Sequence, residues 1–177
     1  MSQLSTLQTK PKIRFYKSMQ RYYSASGYYK KIFGSKVYKI SLDAGCTCPT
    51  RDGTKGFGGC IFCSATGSGD FAAAKNLSIS EQIRQAKTLV NKKLQGRSGI
   101  QGRKYIAYFQ NFTNTYGKPD ILEKKYKEAL DEPDIAGLSI ATRPDCLNND
   151  ILERIAKIAE TTYVSIELGL QTSNAKT

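Results

Sequence analysis

Four of the five cysteines fall within eighteen residues, Cys46, Cys48, Cys60 and Cys63, spaced C-x-C-x11-C-x2-C in the glycine-rich stretch GCTCPTRDGTKGFGGCIFCSATGSGDF, residues 45–71. Cysteines this dense, interleaved with Gly, Asp and Lys, read as metal ligands rather than as core packing. The two-residue gap between Cys60 and Cys63 lets a tight turn aim both sulfurs at one centre, and the glycines let the loop fold back to bring a further thiolate to it. Two donor sets stay open. All four cysteines would close a tetrahedral structural zinc site. Cys48, Cys60 and Cys63 alone would hold three irons of a [4Fe-4S] cluster and leave the fourth iron open to a substrate or cofactor. A disulfide framework is the competing reading. No segment resembles a secretory signal peptide, so a reducing, cytoplasmic setting is expected.

The flanking pattern must position that loop. Residues 36–43, KVYKISLD, alternate apolar and polar side chains with β-branched content and predict a strand leading into the cysteines. Beyond the loop, Ser78 and Glu81 form a capping-box signature, and Ile83, Ala86, Leu89, Val90 and Leu94 recur at helical spacing up to Gly96. A strand over 104–110 follows, then a helix opened by Pro119 with Ile121, Leu122, Tyr126 and Leu130 on its apolar face. A strand over 135–142, a helix over 150–160 and a strand over 163–168 complete the order β-loop-α, β-α, β-α, β. Mainly apolar strands in this order predict an α/β fold with a parallel sheet, buried on both faces, and right-handed crossovers.

Functional groups in such sheets gather at the carboxyl ends of the strands. There the chain places the cysteine loop, then FQNFTNTY, then ATRPDC, then ELGLQT. Gln110, Asn111, Thr113 and Asn114 are ligand-binding candidates or ordinary turn chemistry. Arg143 and Asp145 are spaced to pair. Glu167 stands in an otherwise apolar strand, where a lone carboxylate is costly, and so wants a partner such as a ligand hydroxyl or amine. Cys146 is an isolated thiol.

The 177 residues suit one domain with a substantial core, and no apolar run reaches membrane-spanning length. The absence of histidine excludes Ser-His-Asp and Cys-His catalysis, HExxH metalloproteases and imidazole zinc sites. Of the net charge of +12, the first 45 residues carry +8, nine Lys or Arg against Asp43 alone. Phe15, Tyr16, Tyr22, Tyr23, Tyr28, Tyr29, Phe33 and Tyr38 interleave with these cations. Residues 1–35 are thus expected to form an irregular, partly helical basic arm. It either meets an anionic partner such as nucleic acid or packs its tyrosines on the domain edge.

Four stretches together, SLDAGCTCPTRDGTKGFGGCIFCSATGSGDF, YFQNFTNTY, ATRPDCL and ELGLQT, resemble the radical S-adenosylmethionine (SAM) enzymes, specifically the YhcC/YtqA-type family related to the Elp3-like radical SAM proteins. The resemblance runs from about residue 22 to the end of the chain. It implies a partial (β/α)6 TIM-like barrel, residues 36–177, with Cys48, Cys60 and Cys63 as ligands of a [4Fe-4S] cluster and SAM as the second cofactor. Phe62 would lie near the adenine, and Gln110, Thr113 and Asn114 near the methionine moiety. Arg143, Glu167 and Gln171 would lie near the ribose, the carboxylate or the substrate. Cys46 and Cys146 are additional candidates without an assigned role, and Cys46 departs from the family pattern, which usually has a bulky residue there. The implied reaction is hydrogen abstraction by a 5'-deoxyadenosyl radical, for tRNA wobble-uridine modification, with a donor such as flavodoxin or ferredoxin supplying the electron.

The family barrel continues for a helix and two more strands past the point where this chain stops, so a truncated form, or one completed by a second chain, is expected. The opposing reading is a non-catalytic, zinc-stabilised nucleic-acid-binding module on all four loop cysteines and the basic arm, or an inactive fragment.

Overall fold

The computed structural model describes residues 22–67, 76–94, 102–169 and 173–174. Most of the predicted arm, residues 1–21, the expected helix stop at Gly96 and the candidate Gln171 lie outside the described residues. Four strands, β1 (Val37–Leu42), β2 (Lys104–Phe109), β3 (Ile135–Thr142) and β4 (Tyr163–Leu168), pair in sequence order, each parallel to the next. Helices α2 (Ile79–Lys93), α3 (Pro119–Asp131) and α4 (Asn149–Ala159) make the crossovers, and α1 (Ala25–Phe33) precedes the sheet. The chain is therefore an α/β protein with a four-stranded parallel sheet.

The helices start where local chemistry dictates. Ser78 and Glu81 make the full capping box, the Ser78 side chain accepting from Glu81 N and the Glu81 carboxylate accepting from Ser78 N. Pro119 opens α3, where its missing N–H costs nothing. The Asn148 side chain caps α4 by accepting from Ile151 N at 2.9 Å.

Alternate residues of the strands, Ile40 and Leu42, Ala107 and Phe109, Leu138 and Ile140, are buried against Ile83, Leu122, Tyr126, Ile151 and Ile155 of the three crossover helices. In-register positions between them carry Ser41, Tyr108, Ser139 and Ser165 across all four strands. The sheet therefore has an apolar side under the helices and a polar side, where burial of both faces by apolar residues was expected. Polar residues in the period-2 frame, Lys39, Ser41, Ser139, Ser165 and Glu167, account for the difference. No helix among the described residues is long and apolar enough to cross a membrane.

The expected partial helicity of the arm is present in α1, next to the domain. Ser24 caps α1 by accepting from Gly27 N at 3.1 Å, and Gly34 ends it in the left-handed region at φ +70°. Its rings do not all face water. Tyr28, Tyr29 and Phe33 gather on Tyr163 of β4, with ring centroids 6.4, 6.0 and 5.3 Å away. Tyr22 and Tyr23 remain exposed.

Gly137 makes room for this cluster. A Cβ at that position would sit 2.4 Å from the backbone oxygen of Tyr163 and 2.9 Å from its Cβ. Gly137 and Tyr163 are cross-strand partners, so neither can yield without opening the β3–β4 ladder. Gly137→Ala is expected to cost about 2 kcal/mol, the usual penalty for overpacking a rigid site. A chemical denaturation midpoint unchanged from wild type would refute this.

Candidate metal centre

The cysteine loop leaves β1 through a buried polar junction. Asp43 Oδ1 accepts from Gly45 N at 2.6 Å and Oδ2 from Asn111 Nδ2 at 2.8 Å. Gln82, fully buried on α2, donates through Nε2 to Asp43 O and accepts from Asp43 N. The backbone leaving the strand thus has side-chain partners where the ladder has run out. Gly45, in the left-handed region at φ +70°, then turns the chain toward the cysteines.

The loop is pinned to the sheet at both ends. Thr113 N donates to Thr47 O at 3.3 Å, and Phe112 N donates to Gly67 O at 3.1 Å. Within it, Cys63 N donates to Cys60 O at 3.0 Å, the tight turn predicted from the two-residue gap. Lys55 reaches out to Asp145 at 2.5 Å, and Thr54 Oγ1 shares a 2.9 Å hydrogen bond with Tyr116 OH.

Cys48, Cys60 and Cys63 line one cavity of about 710 Å³, together with residues from the carboxyl ends of β2, β3 and β4. Cys46 is not part of it. That side chain packs against the core cluster, and burial pushes its thiol up to about 12, against a smaller opposite pull from Lys125. Burial also raises the Cys48 thiol, while its 3.0 Å hydrogen bond with Thr113 Oγ1 and the positive charges of Arg51 and Arg143 favour the thiolate. None of the five cysteines is in a disulfide. Cys146 stands outside this cavity, on a second one of about 500 Å³ behind the loop.

The remaining candidates divide. Phe62, Gln110, Thr113, Arg143 and Glu167 line the cavity with the three cysteines. Asn114 does not: it is fully buried, with Nδ2 donating to Phe109 O at 2.8 Å and Ala141 O at 3.0 Å. It ties the ends of β2 and β3 together and has no donor left for a ligand. Asn111 is likewise engaged with Asp43, and Gln110 Oε1 accepts from Ser41 Oγ at 2.7 Å.

Arg143 pairs with Asp145 as its spacing predicts, through two 2.9 Å hydrogen bonds. Those bonds and the Lys55 ammonium hold the Asp145 carboxyl well below the usual carboxylate range. Glu167 does not wait for a ligand. It accepts from the Lys39 ammonium and from Ser139 Oγ at 2.6 Å. Burial pushes its carboxyl up, but the bonds from Lys39, Ser139 and Tyr108 outweigh this and hold it below the ordinary value. Lys39 lies two residues before Ser41, on the same side of β1, which is why a cation is at hand.

Sequence reasoning passed over Asp43, Gln82, Arg51 and Tyr108. Gln82 carried a usable signal, a polar residue beside Ile83 and three residues after Ile79 on the buried stripe of α2. Tyr108 read as one more aromatic of an apolar strand. It lies on the polar side, lines the cavity and has its phenol pushed up to about 12 by burial and the neighbouring Glu167.

Three soft thiols among the residues lining one cavity match the chemistry of iron–sulfur ligation. Their placement stops short of a ligated centre, since no three Cys, Asp or Glu side chains among the described residues come together to hold a metal ion. The fit is one of donor chemistry and shared cavity.

Fold and site together define an α/β protein with a cysteine loop laid over the carboxyl edge of a parallel sheet. Its relatives are the proteins YtqA and YhcC. The chain is 44% identical over 158 residues to the uncharacterized protein YtqA of Bacillus subtilis, a match covering 89% of this chain and 47% of that protein. It is 38% identical over 146 residues to protein YhcC of Escherichia coli, covering 82% and 44%, respectively. Over 154 residues it is 37% identical to the uncharacterized protein MJ0486 of Methanocaldococcus jannaschii, covering 85% and 44%. The chain is homologous to these proteins and spans about half the length of the curated relatives it matches. No protein-family model and no solved structure matches it.

Proposed function

We propose that this chain is the N-terminal part of a radical SAM enzyme with a (β/α)6 TIM-like barrel, holding a [4Fe-4S] cluster on Cys48, Cys60 and Cys63. The observation that supports this most is the division of the loop cysteines, three lining the cavity and a half-buried Cys46 packed against the edge of the core instead. A four-cysteine zinc site needs all four sulfurs around one centre, and the absence of Cys46 from the cavity lining argues against it.

Cys48, Cys60 and Cys63 would hold the cluster, which with SAM would supply one-electron radical chemistry for hydrogen abstraction from the substrate. The chain's own residues set the conditions for it. Thr113 orients the Cys48 sulfur by its hydrogen bond. Phe62 and Phe112 give the cavity aromatic walls. Arg143, braced by Asp145 and Lys55, keeps a fixed cation on the rim, suited to a carboxylate. Tyr108 and Glu167, held by Lys39 and Ser139, form a polar flank for substrate.

A tRNA wobble uridine is the proposed substrate. Its support is the basic first segment and the exposed Tyr22 and Tyr23, followed by Lys30 and Lys31 in the last turn of α1. The test is iron, sulfide and zinc analysis of anaerobically reconstituted protein, followed by reductant and SAM. Iron with matching sulfide, broad visible absorption and 5'-deoxyadenosine as product are expected. One colourless zinc per chain, or an iron–sulfur protein that leaves SAM intact, would overturn the enzyme reading.

A further inference from the structure

The loop between Cys48 and Cys63 contains no helix or strand, so something else must hold its shape. Arg51 lies in it, half-buried, three residues past Cys48. Its guanidinium donates from Nη2 to Ser64 O at 2.6 Å and from Nη1 to Ala65 O at 3.3 Å, the two residues that follow Cys63. The same group stacks over the Phe112 ring, with Cζ 5.3 Å from the centroid. Phe112 in turn closes against Gly67, where a Cβ would lie 2.5 Å from the ring. Gly59 leaves the space for the Arg51 side chain: a Cβ there would fall 2.6 Å from Nε.

Each contact joins a different part of the site. The carbonyl bonds fold the segment after Cys63 back onto the segment after Cys48, and the ring contact fixes both to the end of β2. We infer that Arg51 is the positioning residue of the cysteine loop, clamping the Cys60–Cys63 turn against the Cys48 segment and the end of β2 and placing a permanent positive charge beside the sulfurs. The role of the clamp toward a cluster rests on the metal-centre reading above, while the clamp itself does not. Arginine suits both tasks. Its planar fork reaches two carbonyls while its face lies on a ring, and it stays charged at every working pH. Lysine keeps the charge but loses the fork and the stacking.

Hydrogen exchange of metal-free wild type, Arg51→Lys and Arg51→Met reads the clamp without any cofactor. Amides of residues 51–67 are expected to exchange roughly tenfold or more faster in Arg51→Met, the factor for losing one charge-assisted hydrogen bond, with β2 and β3 unchanged. Iron content and midpoint potential of the reconstituted proteins read the consequence. Arg51→Met should load several-fold less iron and hold the residue at a more negative potential. Arg51→Lys should loosen the loop yet keep the wild-type potential, which a purely structural role would not separate.

Loop exchange unchanged in Arg51→Met overturns the clamp, whatever the iron content. Wild type that takes up no iron overturns the metal reading, and the clamp then stands or falls on exchange alone. If Arg51→Met fails to fold, Arg51→Lys decides: loop exchange like wild type overturns the clamp.

Discussion

Serine at Cys48, Cys60 or Cys63 should strip anaerobically reconstituted protein of most of its iron, while Cys46→Ser should load like wild type. Each of the first three cysteines lines the same cavity. Serine oxygen is a poor substitute for a soft thiolate, and a loss of roughly tenfold or more in metal retention is the least expected from a directly ligating group, given that changes to supporting residues alone cost 10–100-fold. Cys46 is spent on packing, and its thiol is disfavoured as a thiolate by burial. Its replacement should instead cost about 1 kcal/mol of stability for placing a hydroxyl in a largely apolar setting. Metal analysis and thermal melts on the four variants decide the matter. Cys46→Ser losing as much metal as Cys63→Ser would restore the four-cysteine zinc site and sink the three-ligand reading.

Asn114→Leu should lower stability by about 2–4 kcal/mol without changing the metal bound per folded chain. The Asn114 amide donates to Phe109 O and Ala141 O, and its own backbone oxygen accepts from Tyr126 OH at 2.5 Å. All of this is buried at the ends of β2 and β3, so deleting the amide leaves Phe109 O without that donor in a place water does not reach. Asn114 N still serves Ala141 O, at 3.1 Å, which limits the loss at the second carbonyl. For a chain of this size the melting temperature should fall by roughly 5–15 °C. A shift under about 2 °C would refute the structural role. Loss of SAM binding in a variant that stays as stable as wild type would return Asn114 to the ligand-contacting set.

The two predictions separate residues that one run of sequence had grouped. Gln110, Asn111, Thr113 and Asn114 lie within five positions at the end of the same strand, all polar and all suited to a turn or a ligand. Only their directions differ. Thr113 meets Cys48, Gln110 meets Ser41 on the cavity side, Asn111 turns to Asp43, and Asn114 turns inward between strands. A one-residue difference in position, Gln110 against Asn111 or Thr113 against Asn114, decides between lining the cavity and supporting the backbone, and composition carries no trace of it.

Elements with a strong local cause were legible in the chain itself. The strands and helices follow from apolar period and caps, and the placement of the cysteine loop over the carboxyl ends follows from β-α order, because a right-handed crossover returns every strand in the same direction. Thiol spacing alone identified the loop as a metal-ligand candidate. What needed tertiary structure was every choice among chemically equal groups. Cys46 and Cys48 are two residues apart, and the turn at Gly45 with the Asp43–Gln82 junction leaves one packed against the core and the other on the cavity. Glu167 found Lys39, and Arg51 found the carbonyls after Cys63, across 128 and 13 residues of chain. Such pairings depend on which backbones the fold brings within hydrogen-bond reach, a property of three-dimensional proximity that no local pattern of residues encodes.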